Sequence, residues 1–72
     1  MITMFKCEDG SLFHHERVLR VDKSSEGRLQ ETGKPWYVVL NGNEITSHYI
    51  SQNDYERFMK LVSDGVIKIT II

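Results

Sequence analysis

The chain has 72 residues, nine Lys plus Arg against ten Asp plus Glu, and an apolar fraction of 40%. That is one domain, spanning residues 1–72, with a stability margin of only about 3–5 kcal/mol. The balanced charge gives neither the basic stripe of a free-standing nucleic-acid binder nor an acidic block. Cys7 is the single cysteine, so no disulfide closes within the chain. With no apolar run near the ~20 residues of a membrane span and a start too short and polar for a signal peptide, a reduced, cytoplasmic setting is expected.

In chain order, residues 2–7 read as a short strand. Asp9-Gly10 is a hairpin signal, because Gly accepts the positive φ of a tight primed turn. Leu12-Phe13 begins the return strand, and residues 14–17 are ambiguous. Residues 17–22 form the next strand, with Leu19 and Val21 on one face. Residues 23–34 are polar, with only Leu29 apolar, and read as a long loop or as the tip of an extended hairpin. Pro35 suits the first residue of a strand.

Residues 36–40, Trp-Tyr-Val-Val-Leu, are the clearest strand. They are apolar on both faces, as in a central strand. Asn41-Gly42-Asn43 turns the chain into a strand over residues 44–50, with Ile45 and Tyr49 on one face and Thr46 and His48 on the other. Ser51 is a helix N-cap, Asp54 stands in the capping-box position, and Ile50 and Tyr55 suit a hydrophobic staple. Tyr55, Phe58, Met59 and Val62 share one helix face. Gly65 supplies the left-handed cap, with Val66 packing back on the last turn. Residues 66–72 read as a terminal strand, which would be an aggregation hazard at an open edge. The fold class is α+β. The order is β-β-β-β-α-β, in a small bent antiparallel sheet or partly open barrel, with one amphipathic helix before the last strand.

The layout resembles small bacterial flagellar proteins of the FlbD type. It shares the Met-Ile start, a Gly turn before Phe, the Asn-Gly hairpin and the amphipathic helix. The long loop and terminal strand depart from that pattern, and no function is carried over.

Candidate chemistry is sparse. His14, Glu16 and His48 could serve as metal ligands, with His15 pointing away, but their spacing matches no established zinc motif. Cys7 with a histidine is the only conceivable nucleophilic pair, and a buried hydrophobe is the simpler reading of Cys7. No cofactor, metal site or catalytic activity is therefore expected.

The favoured function is a small protein–protein interaction module: a regulator, inhibitor or accessory subunit that self-associates, of the kind common in phage and mobile-element genomes. Its contacts are placed at Trp36 and Tyr37 as hot spots, Tyr49, the loop residues Arg28 and Lys34, and Ile69 and Ile71 on the terminal strand. The alternative is a single-stranded nucleic-acid binder that stacks bases on the aromatics, with Arg17, Arg20, Arg28 and Lys34 tracking phosphates.

Overall fold

The computed structural model describes residues 4–69. Strand β1 (Met4–Lys6) pairs antiparallel with β2 (Leu12–His14), and a 3₁₀ turn (His15–Arg17) leads into β3 (Val18–Lys23). Helix α1 (Glu26–Thr32), β4 (Trp36–Asn41), β5 (Ile45–Ile50) and helix α2 (Gln52–Ser63) follow. The five strands form two antiparallel sheets, a β1–β2 hairpin and a three-stranded sheet in the order β3-β4-β5. The α+β class stands. The order β-β-β-β-α-β and the barrel shape are not what is found.

The first turn uses Gly10 at φ 89°, as the Asp-Gly pair requires, but the loop is three residues long. Gly10 N–H donates to Cys7 O at 3.0 Å, and Cys7 N–H to Ser11 O at 2.8 Å. This is a turn followed by a left-handed residue rather than a two-residue primed turn. The β4–β5 loop is likewise Gly42 to Glu44, and positive φ is confined among the described residues to Gly10, Gly33 and Gly65.

The stretch read as a loop holds α1. Ser25 Oγ accepts from Arg28 N–H, and Gly33 closes the helix at φ 71° while donating to Leu29 O. The helix buries none of its residues, so it carries no apolar stripe for periodicity to detect. It is held at its base instead, where Ser24 N–H donates to Pro35 O at 2.8 Å and Ser24 Oγ to Lys34 O at 2.9 Å. The extended-hairpin alternative is the nearer one: β3 and β4 pair, with α1 at their tip.

Strand β4 is central, as its two apolar faces implied. Alternation puts Trp36, Val38 and Leu40 toward the core and Tyr37 and Val39 on the other side. In β3 an irregularity at Leu19 shifts the register, so Val18 opposite Leu40 and Val21 opposite Val38 face the core, in place of Leu19 and Val21. Phe5, Phe13 and Phe58 meet pairwise at ring distances of 5.3–5.7 Å, and Val18, Val38, Ile50, Cys7 and Ile67 complete the core.

Helix α2 begins where Ser51 was expected to cap it, and Ser51 Oγ accepts from Asp54 N–H at 3.1 Å. Asp54 does not act as a capping-box residue. Its two carboxylate oxygens accept from Glu8 N–H at 3.1 and 3.2 Å, and Arg57 donates to it at 2.6 Å. Tyr55, Phe58, Met59 and Val62 face the core as their spacing required.

The C-terminal cap is a Schellman motif, with Gly65 N–H on Val62 O and Val66 N–H on Leu61 O. Val66 is nevertheless 66% exposed, and it is Ile67 that buries. The expected terminal strand fails over residues 66–69, which pair with no strand. Residues 70–72 lie outside the described residues.

Candidate functional site

The β1–β2 turn and β5 are joined by a chain of polar contacts. Lys34 Nζ meets Asp9 Oδ2 at 2.6 Å. Asp9 Oδ1 accepts from Ser11 N–H at 2.9 Å and from Ser11 Oγ at 2.6 Å. Ser11 Oγ lies 2.9 Å from His48 Nε2, which is also 3.8 Å from Cys7 Sγ. Serine, histidine and carboxylate in line resemble a nucleophile with its base, but the proton count argues otherwise.

Lys34 and Ser11 hold the Asp9 carboxyl well below its usual range, so it is ionised and only accepts. Ser11 has one hydroxyl proton, and the close, charged Asp9 takes it. His48 Nε2 therefore carries a proton and donates to Ser11. It cannot remove a proton from Ser11 or from the Cys7 thiol through that nitrogen. Burial pushes the Cys7 thiol up, and burial holds the His48 imidazole down, so neutral partners are favoured over a thiolate–imidazolium pair. The arrangement is a latch that ties the first hairpin to β5.

A second latch is built on Asp54. Burial alone would raise its carboxyl; hydrogen bonds from Arg57 and Glu8 N–H outweigh that and lower it. Arg57 also donates to Lys6 O at 2.8 Å and lies 4.9 Å from the Phe5 ring centroid. Ser51 Oγ donates to Glu8 Oε1 at 2.9 Å. These contacts anchor the start of α2 beneath the first hairpin.

Two surface features remain. The first is the outer face of β3–β4–β5. Tyr37 and Tyr49 are cross-strand partners with ring centroids 5.3 Å apart. Val39 lies two residues on from Tyr37 on this face, and Ile45, on the same side of β5, is 61% exposed. Arg20 and Asp22, also on this face, form an ion pair. Helix α2 and the β1–β2 hairpin both pack on the opposite, inner face. The second feature is a groove of about 230 Å³ between the first hairpin and the β4–β5 turn, lined in part by Leu12, Phe13, Leu40, His14, Arg17 and His48.

The residues singled out from sequence do not converge. Tyr37 and Tyr49 meet on the outer face. Trp36 turns to the inner face, stacking on Tyr55 at 3.8 Å and donating from Nε1 to Gln52 Oε1, and is half-buried there, apart from the two tyrosines. Arg28 pairs with Glu31 on α1 at 3.3 Å, and Lys34 with Asp9. Ile69 packs against the core, and Ile71 lies outside the described residues.

Among the metal candidates, His14 and His48 line the groove, whereas Glu16 and His15 line a separate depression with Val66 and Lys68. Among the described residues no three His, Cys, Asp or Glu side chains come together to hold a metal ion. Sequence reasoning missed Ser11 and the tertiary role of Asp54. Asp-Gly-Ser does signal an Asx turn that places Ser11 beside Asp9. Nothing local points Asp54 at Glu8, 46 residues away.

Comparison with protein-family models, with curated proteins and with solved structures finds no match to this chain. The resemblance to FlbD-type proteins thus stays at turns and periodicity. Among the described residues no helix is long and apolar enough to cross a membrane.

Proposed function

We propose that the chain is a small protein-binding module that meets its partner through the outer face of β3–β4–β5. The observation that carries this reading is the Tyr37–Tyr49 pair on the side of the sheet opposite the core, with Ile45 exposed on the same face. Tyrosine supplies large, rigid contact area with a polar tip and is enriched at interface hot spots.

A protein partner is favoured over single-stranded nucleic acid by the local charges. Of the four basic residues suited to phosphates, Arg20 is paired with Asp22 on this face, Arg28 with Glu31 and Lys34 with Asp9, which leaves Arg17 alone, beside the β4–β5 turn. Phosphate binding draws on cations with no internal partner. Catalysis is disfavoured by the protonation of Cys7 and His48 argued above. Self-association is a special case of the same reading. Among the described residues β5 pairs only with β4, which leaves its outer edge able to accept a strand from a second copy.

Affinity capture with the wild-type chain and a Tyr37→Ser, Tyr49→Ser double variant tests the proposal, with sedimentation velocity run in parallel. The expected result is a stoichiometric protein complex, resistant to moderate salt and to nuclease, that the double variant loses. A complex retained by the double variant, or one dissolved by nuclease, overturns it.

A further inference from the structure

We propose that the groove between the first hairpin and the β4–β5 turn is a binding site for a small carboxylate with an apolar body. The site is separate from the outer sheet face and does not depend on that reading.

The groove has an apolar floor and a rim that carries one arginine and two imidazoles. Leu12, Phe13 and Leu40 supply the floor, and Leu12 is 51% exposed there. Arg17, His14 and His48 stand on the rim, and among the described residues no Asp or Glu lines the groove. Arg17 makes no ion pair or hydrogen bond among the described residues, although four other cations, Arg20, Arg28, Lys34 and Arg57, are each held by a carboxylate. Its Nη1 lies beside Gly42, 3.7 Å from where a Cβ on that residue would sit, so the guanidinium borders the β4–β5 turn.

One arginine offers one planar fork and one positive charge, which matches a carboxylate in geometry and charge. A phosphate would call for more positive charge than one arginine supplies. His48 sits inside this rim with its Nε2 committed to Ser11, so it is oriented before any ligand arrives. A volume of 230 Å³ equals that of about eight liquid waters, which suits a body of about that many heavy atoms.

The test is an ¹⁵N-resolved NMR titration of the full chain with phenylacetate, and with neutral phenylacetamide as the matched control. Saturable shifts are expected at the amides of Leu12, Thr46 and His48, with a Kd of about 1 mM or tighter. Phenylacetamide is expected to bind at least tenfold more weakly. Arg17→Gln should weaken phenylacetate at least tenfold while leaving the rest of the spectrum in place. Arg17→Lys, which keeps the charge and loses the fork, should fall between.

A peptide ending in Phe with a free carboxylate, run against its C-terminal amide, separates a chain terminus from a free metabolite as the source of the same chemistry. Tighter binding of the peptide acid identifies the terminus. Absence of saturable shifts, equal binding of the amide, or undiminished binding to both Arg17 variants overturns the proposal.

Discussion

The two faces of the β3–β4–β5 sheet are built from similar residues and put to opposite uses. On the inner face Val38 and Ile50 are fully buried, closed over by Phe58 and by the Phe5–Phe13 hairpin. On the outer face Tyr37 and Tyr49 touch each other, Arg20 and Asp22 neutralise each other, and Ile45 stands exposed. One strand, Trp36–Asn41, contributes to both. A strand that is apolar on both sides shows that each face needs a cover, but only the fold shows which cover the chain itself provides.

Substitutions on the two faces should therefore diverge. The largest effect belongs to the inner face. Phe58→Ala removes a ring that is 0% exposed, at a cost of about 3–5 kcal/mol. That equals the margin expected of so small a domain, so circular dichroism at 25 °C should show a largely unfolded chain.

Next is the anchor beneath the first hairpin. Asp54→Ala strands Glu8 N–H and frees Arg57, costing about 1–3 kcal/mol in urea unfolding. Asp54→Asn should recover part of that loss, because one amide oxygen still accepts. The tip of the β3–β4 hairpin comes third. Gly33→Ala forces a side chain onto φ 71°, at a cost of about 1 kcal/mol. Hydrogen exchange should quicken in α1 and stay unchanged in α2.

Smaller still is the pH dependence of the latch. The folded state holds the His48 imidazole below its ordinary value of 6.5. The unfolded chain thus binds more protons just below that value, and stability falls as the pH drops from 7 toward the folded pKa. His48→Gln keeps a donor for Ser11 and cannot titrate, so the decline between pH 7 and 5 should flatten in thermal melts of that variant.

Much of the inner face was legible in the sequence, because burial imposes a period. The 3.6-residue spacing of Tyr55, Phe58, Met59 and Val62 and the Ser51 cap located α2. The alternation of residues 45–49 separated Ile45 and Tyr49 from Thr46 and His48, but only the fold shows that the His48 side faces the core. Helix α1 escaped because it has caps and no buried face, so only Ser25 and Gly33 marked it.

Over residues 66–69 the terminal strand was misjudged, because Ile67 and Ile69 suit a strand and a packed irregular segment equally; Ile67 buries without pairing. The sequence does not show that Tyr55 and Gln52 meet Trp36 from α2, on the face opposite Tyr37. The latches depend on contacts 25 to 51 residues apart, which no local pattern carries.

The most direct test of the outer face as a contact surface is to measure stability and partner capture together on the Tyr37→Ser, Tyr49→Ser double variant. The account predicts unfolding free energy within about 1 kcal/mol of wild type, as for substitutions outside the core, and complete loss of the captured complex. A variant that unfolds as readily as Phe58→Ala, or one that keeps the wild-type complex intact, would contradict the division between an inner face that stabilises and an outer face that binds.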